Sequence, residues 1–140
     1  MRAIWKLGIA TGALLVLAQL VRPTISAKPA PAEIQAPPAV RQILNKGCYS
    51  CHSDERRLAW FDQIEPAYLI ARHDILIARS HLNFSSLGSA PPAVQRAKLF
   101  EAVNMIQLGA MPLPQFVALH PDAKVSPEEN PSRLRSSIKS

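Results

Sequence analysis

Cys48-Tyr49-Ser50-Cys51-His52 has the form C-x-x-C-H, the attachment motif of c-type haem. In this motif both thiols form thioether bonds with the haem vinyl groups, because two intervening residues let both sulfur atoms reach one porphyrin edge. The histidine that follows directly serves as the proximal axial ligand of the iron. Cys48 and Cys51 are the only cysteines in the chain. The motif therefore predicts one covalently attached haem c, bound by Cys48, Cys51 and His52.

Other uses of a C-x-x-C pair fit the sequence less well. A disulfide between cysteines three residues apart is geometrically poor. A redox-active pair is typical of a βαβ context, which the sequence does not predict. A zinc site normally needs a second ligand pair, and the chain has no second cysteine pair. Haem remains the interpretation that the motif favours.

The N-terminus has the features of an export signal. Arg2 and Lys6 precede an apolar run from Leu7 to Val21, which is a charged region followed by a hydrophobic one. The two basic residues favour a cytoplasmic N-terminus, with the rest of the chain in the periplasm. Cleavage after Ala27 and retention as a membrane anchor both fit this pattern, and the sequence leaves the choice open.

Composition divides the chain into four predicted parts. Residues 1–27 form the export signal or N-terminal anchor, and residues 28–39 form a Pro/Ala-rich linker. Prolines in this linker block helix formation, which predicts an extended, semi-rigid spacer. Residues 40–126 form the c-type haem-binding domain, and residues 127–140 form a polar tail.

Within the domain the sequence predicts three helices and an all-α fold around one haem. The helices run from about Pro38 to Cys48, from Pro66 to His81 and from Pro92 to Leu108, with prolines near each start. Spacing of apolar residues predicts which side of each helix is buried. The predicted apolar positions of the second helix are Leu69, Ile70, Ile77 and Ala78, and those of the third are Val94, Ala97, Val103 and Ile106.

Met111 is the residue that the sequence favours as the second axial ligand. It lies between Gly109 and the prolines Pro112 and Pro114, which restrict the backbone. A rigid loop suits a weak thioether–iron bond, because little conformational entropy remains to be lost. Methionine and histidine are the usual sixth ligands. Met105, inside a helix, is expected to pack in the core.

Histidines provide the alternative sixth ligands. Bis-histidine ligation through His81 or His120 stays open, since His81 lies at a helix end and His120 precedes a proline. His73 is expected to be a solvated helix residue.

Residues soon after the motif offer contacts to the rest of a haem. Trp60 and Phe61 are expected to cover a haem face or edge. Arg56 and Arg57 could pair with a propionate, but a solvated surface position explains them slightly better.

The net charge of +6 does not predict nucleic-acid binding. Arg2, Lys6 and Arg22 of the N-terminal segment account for half of this excess. No basic stripe with interleaved aromatic residues is present, so nucleic acid is excluded as a partner.

Several stretches carry a resemblance that extends from about residue 36 to residue 126. They are Cys48-Tyr49-Ser50-Cys51-His52-Ser53, then Trp60-Phe61 with Ile64 and Pro66, His81-Leu82-Asn83-Phe84-Ser85, Met111-Pro112-Leu113-Pro114, and Leu119-His120-Pro121-Asp122-Ala123-Lys124-Val125-Ser126. Together they resemble the small bacterial haem-binding domain proteins with a single C-x-x-C-H.

This resemblance implies a cytochrome c-like, mostly helical, periplasmic domain. Cys48 and Cys51 would be the thioether sites, His52 the proximal ligand and Met111 the distal ligand. Members of the family usually continue into a further amphipathic helix, whereas residues 127–135 have little apolar face here. The ending of this chain therefore departs from the family pattern.

One-electron transfer is the function that these features favour. An iron with both axial positions filled has no open site for substrate, so an enzyme is not predicted. The expected partner is another redox protein or a membrane respiratory complex. Two alternatives stay open: a ligand-binding sensor or enzyme with an open distal site, and an accessory haem subunit of a larger oxidoreductase.

Overall fold

The computed structural model describes residues 2–28, 32–55 and 57–125, most of which lie in helices, with no strand among them. The α-helices are α1 (Arg2–Leu20), α2 (Pro38–Gly47), α3 (Tyr49–His52), α4 (Ala67–His81), α5 (Phe84–Leu87), α6 (Pro92–Gln107) and α7 (Pro114–Leu119), with 3₁₀ turns at Phe61–Gln63 and Pro121–Ala123. The prediction of an all-α fold is confirmed. The predicted tail, residues 29–31 of the linker and Arg56 lie outside the described residues.

The three predicted helices correspond to α2, α4 and α6. Pro38 and Pro92 occupy the first turns of α2 and α6, where the missing backbone N–H would have no helical partner. Gly109 follows the end of α6 with a φ of +67°, a left-handed conformation that glycine adopts without strain. Proline and glycine chemistry therefore sets these helix boundaries.

The main core joins the haem motif to α5. Phe84 and Val103 are almost fully buried, and the ring of Tyr49 stacks on that of Phe84 with centroids 5.6 Å apart. Leu44 of α2 packs into the same cluster. The short turn that carries the motif is thus held by packing from three different helices.

The buried side of α4 differs from the predicted one. Ala78 is buried as predicted, but Leu69, Ile70 and Ile77 are exposed, whereas Tyr68 and Ile75 are buried. The prediction was wrong at three of its four positions because apolar residues occur all round this helix, so periodicity alone does not select a face. Tertiary contacts select it instead.

Residues 32–36 pack onto the domain rather than forming a free spacer. Ile34 is only 3% exposed and lies in the main core. Its backbone N–H donates to the Phe84 carbonyl at 3.2 Å, and the Gly88 N–H donates to the Ala32 carbonyl at 2.9 Å. The backbone of this part of the linker is irregular, as its prolines predict, but its side chains contribute to folding.

Gly88 allows this close approach, and we expect Gly88→Ala to destabilise the domain. A Cβ atom at Gly88 would lie 2.6 Å from the Ala32 carbonyl oxygen and 2.8 Å from that of Glu33. Relieving such overlap costs about 1–3 kcal/mol. Thermal unfolding measures the loss, with Gly12→Ala as control, since nothing lies within 4 Å of a Cβ there. Equal melting temperatures for the two variants would contradict the expectation.

Candidate functional site

The haem motif forms a short helical turn directly after α2. The Cys48 N–H donates to the Leu44 carbonyl at 2.9 Å, and the His52 N–H donates to the Cys48 carbonyl at 2.8 Å. Cys48 and Cys51 are therefore one helical turn apart and face the same side. Both carry free thiols. The local backbone thus presents the three predicted binding residues together.

Burial makes these thiols weak acids. It raises the pKa of Cys48 to about 12, with a smaller contribution from neighbouring Cys51. Burial also raises the pKa of Cys51 to about 11, assisted by the negative charges of Asp74 and Asp62. Reactive C-x-x-C pairs in redox enzymes have lowered pKa values instead. The environment of the pair therefore disfavours thiol–disulfide exchange.

A hydrogen bond fixes the tautomer of His52. Its Nδ1 lies 2.9 Å from the Leu82 carbonyl oxygen, and a carbonyl can only accept, so Nδ1 carries the proton. Nε2 of the neutral ring consequently keeps its lone pair and is the atom that can bind a metal. Burial lowers the pKa of His52, while its backbone hydrogen bonds act in the opposite direction. His52 is thus oriented and neutral, as a metal-ligating histidine must be.

A cavity of about 350 Å³ opens beside the motif. Its lining combines the motif with residues of α4, α6 and the segment from Met111 to Phe116, and it includes Cys48, Cys51, His52, Ile75, Ala78, Ala102, Met105, Ile106, Met111 and Leu113. Most of these side chains are apolar, which suits a flat hydrophobic ligand. The two thiols, the imidazole and the thioethers that this cavity brings together fit a haem c.

Met111 is held in a short loop at the end of α6. The N–H groups of Ala110 and Met111 both donate to the Met105 carbonyl, at 2.9 Å and 3.2 Å. Pro112 follows, and α7 begins at Pro114. The backbone on both sides of Met111 is therefore restrained, as the sequence predicts. Its side chain lines the same cavity as His52, but its role as ligand stays a prediction.

Met105 also lines this cavity, a placement that the sequence did not predict. Expected to pack in the core of α6, it is half-buried and brings a second thioether to the site. Met105 lies six residues before Met111, on the helix that ends at the loop of Met111. This short separation is the sequence signal that could have indicated its place in the cavity. The site therefore contains two methionine sulfur atoms.

The three alternative histidines occupy different environments. His81 lines the cavity and is exposed to solvent. His73 is not part of the lining, and its side chain is 71% exposed beside Asp74. His120 is not part of the lining either. The geometry therefore keeps His81 as the histidine alternative to Met111.

Both ring nitrogens of His120 make hydrogen bonds. Nδ1 lies 3.1 Å from the Phe116 carbonyl oxygen, and Nε2 lies 2.8 Å from a carboxylate oxygen of Asp62. Both ring nitrogens are therefore engaged in hydrogen bonds within the fold. Neither nitrogen is free to bind iron in this arrangement. His120 instead joins the 3₁₀ turn at Phe61–Gln63 to α7.

We expect His120→Gln to destabilise the domain by about 1–3 kcal/mol, because the buried Asp62 carboxylate loses its hydrogen bond to the imidazole. The matched control is His73→Gln, since His73 pairs with Asp74 at the surface. Such surface pairs contribute at most about 1 kcal/mol. Urea unfolding of both variants tests the difference. A His120→Gln midpoint equal to that of the control would contradict a structural role for this pair.

Residues proposed to cover or pair with haem have mixed placements. Arg57 lines the cavity, where it donates to Glu55 at 2.6 Å. Trp60 and Phe61 are not part of the lining, and Trp60 is largely exposed. The structure therefore does not bring these aromatic residues into the cavity wall, and their cover of a haem face or edge stays a prediction. Phe61 instead lies against the ring of His120, with centroids 5.0 Å apart.

One comparison with known proteins identifies the type of domain. A family model described as a haem-binding domain matches residues 13–136. No curated protein and no solved structure matches. The matched region contains the motif, the cavity and the loop of Met111, and it begins within α1.

Proposed function

Because the chain belongs to the haem-binding domain family, we propose that it carries one haem c and transfers single electrons outside the cytoplasmic membrane. Cys48 and Cys51 would hold the haem through thioether bonds, and His52 and Met111 would ligate its iron. When bound, haem supplies an iron centre that cycles between its ferric and ferrous states. The hydrogen bond between Nδ1 of His52 and the Leu82 carbonyl, in a cavity that both cysteines also line, is the observation that carries this proposal.

The Leu82 carbonyl has a defined part in this arrangement. By accepting from Nδ1 of His52, it orients the ring and leaves Nε2 as the ligating atom. A histidine supported in this way is also a more basic ligand. The proposed proximal side is therefore prepared by the fold, independently of the distal ligand.

Two thioethers near the proposed distal side support the carrier function over catalysis. Methionine ligation favours the reduced iron and fills the position that a substrate would need. Apolar side chains of α4 and α6 line much of the site and would lower the polarity around the iron. A partner redox protein or membrane respiratory complex would exchange electrons through a small, transient contact.

The exported location rests on the N-terminal helix. α1 contains 19 residues with a mean hydropathy of 1.6 in its most apolar window, and none of that window is buried. Such a helix is compatible with a signal sequence or an anchor. Attachment of haem to c-type proteins occurs outside the cytoplasmic membrane, which agrees with export.

Visible spectra of the purified, exported protein test this function. We expect low-spin c-type spectra in both oxidation states, and we expect carbon monoxide to leave the reduced spectrum unchanged because Met111 fills the sixth position. Imidazole added to the oxidised protein provides a second probe of the same position. Ready binding of carbon monoxide would contradict an electron carrier and would favour a ligand-binding or catalytic haem protein.

A further inference from the structure

The end of α1 and the chain that follows it contact α4. Residues 19–26, which include the last two residues of α1, are called the strap here. At the start of α4, the Glu65 N–H donates to the side-chain oxygen of Gln19 at 3.2 Å. The Tyr68 hydroxyl donates to the Pro23 carbonyl at 2.7 Å. The guanidinium of Arg22 lies over the Tyr68 ring, 4.4 Å from its centroid. These contacts join the end of α1 to the beginning of α4.

The second half of the strap is part of the hydrophobic core. Ile25 is 4% exposed and packs with the buried residues Tyr68 and Ile75. One residue further on, the Ser26 carbonyl accepts from the Arg79 guanidinium at 2.5 Å. The strap therefore follows α4 from its start to its last turn and completes a cluster that the rest of the domain leaves open.

Cleavage after Ala27 would remove the whole strap. Tyr68 and Ile75 would then lose the apolar side chain that covers them, and Tyr68 would lose the acceptor of its hydroxyl. Exposing such a cluster is unfavourable because apolar surface returns to water. The family match, which begins at residue 13, includes the strap and the second half of α1. Both observations make this segment part of the domain.

The strap also determines the position of the domain relative to the end of α1. A helix of 19 residues rises about 28 Å, close to the ~30 Å of a bilayer core. α1 ends at Leu20, and the neighbouring Gln19 contacts Glu65. If α1 spans the membrane, the start of α4 lies where the chain leaves the bilayer.

Exposed apolar side chains cluster around this point along the chain. Trp60, Ile64, Leu69 and Ile70, called the apolar patch here, are between 47% and 74% exposed. Ile64 and Glu65 are adjacent, and Leu69 and Ile70 lie in the first turn of α4. Tryptophan and aliphatic residues beside a membrane-spanning helix are favoured at the lipid–water interface.

We propose that α1 remains attached as a membrane anchor and that the strap holds the domain so that the apolar patch rests in the outer interface of the bilayer. The proposed occupant of the patch is lipid. This inference depends on the proposed location outside the cytoplasmic membrane, but not on the ligands of the iron. It explains why Leu69 and Ile70, which the sequence predicts to be buried, are exposed to solvent in the isolated chain.

The test is hydroxyl-radical footprinting of the full-length protein, purified from membranes and placed in lipid nanodiscs. With every rate divided by the intrinsic hydroxyl-radical reactivity of its side-chain type, Trp60, Leu69 and Ile70 should be oxidised about tenfold more slowly than Leu108 and Leu119, because interfacial lipid excludes water from them. Leu108 and Leu119 are the controls, since they are 76% and 66% exposed at the ends of α6 and α7. Leu14, in the apolar middle of α1, serves as the reference for a residue inside the bilayer.

Two results would overturn the proposal. Equal oxidation of the patch and of the two leucine controls would show that lipid does not cover the patch. The same result is expected if the patch binds another protein, because the purified sample contains none. An intact mass that corresponds to a chain starting at Lys28 would show that the anchor and strap are removed. The same mass spectrum reports attached haem separately, so failure of this inference differs from failure of the proposed function.

A double variant adds a second readout. Leu69→Asp with Ile70→Asp should raise the oxidation rate of Trp60 towards that of the control leucines, because two charges are costly at the interface. The matched pair Leu108→Asp with Leu119→Asp should leave Trp60 protected. Protection that persists in the first pair would contradict a lipid-bound patch.

Discussion

A Cys48→Ser/Cys51→Ser double variant is expected to lose all covalently attached haem, which is the largest effect predicted for this protein. Serine hydroxyls do not form the thioether bonds through which both cysteines would hold the vinyl groups. The chain has no other cysteine that could replace them. Haem staining after denaturing electrophoresis, together with the intact mass, measures the loss.

The matched control for this experiment is Ser50→Ala. Ser50 lies between the two cysteines and lines the same cavity, so the change perturbs the motif while keeping both thiols. We expect haem to remain attached at the unmodified level. Haem that stays on the double variant through denaturation would refute covalent attachment by the motif, even if the family membership stands.

Met111→Ala is expected to leave haem attached but to open the iron. Truncation removes the proposed thioether ligand, while Cys48, Cys51 and His52 are unchanged. Carbon monoxide, which should not bind the unmodified reduced protein, should then bind fully. The backbone around residue 111 is held by the Met105 carbonyl, so the loop itself should keep its conformation.

Met105→Ala is the control that separates ligation from packing. Met105 brings the other methionine sulfur to the cavity and differs from Met111 in lying within α6. We expect this variant to remain closed to carbon monoxide and to lose stability by about 2–5 kcal/mol at most. Opening of the iron by Met105→Ala, with Met111→Ala unaffected, would assign the sixth position to Met105.

The helix boundaries were predictable because local chemistry sets them. Pro38 and Pro92 favour the start of a helix through their own fixed φ angle, independently of how the rest of the chain packs. Gly109 ends a helix because it adopts a positive φ. The buried face of α4 was not predictable in this way. Apolar residues surround that helix, and the contacts of Tyr68 and Ile75 with a distant segment choose among them.

The candidate site shows the same division. The C-x-x-C-H motif is contiguous, so the covalent attachment that it predicts follows from five neighbouring residues. Whether His120 could serve as a ligand depends on Asp62, 58 residues away, which holds its Nε2. Placement of Met105 beside Met111 likewise depends on how α6 faces the motif.

The sequence alone determined the all-α class, the three principal helices and the motif that identifies the type of cofactor, because each follows from neighbouring residues and short-range backbone preferences. Tertiary structure alone decided the hydrogen bond that orients His52, the engagement of both ring nitrogens of His120, the inclusion of Ile34 in the core and the binding of Ile25 to α4. Each of these depends on a hydrogen bond or an apolar contact between residues far apart in the chain. Such residues come into contact only when the helices pack together.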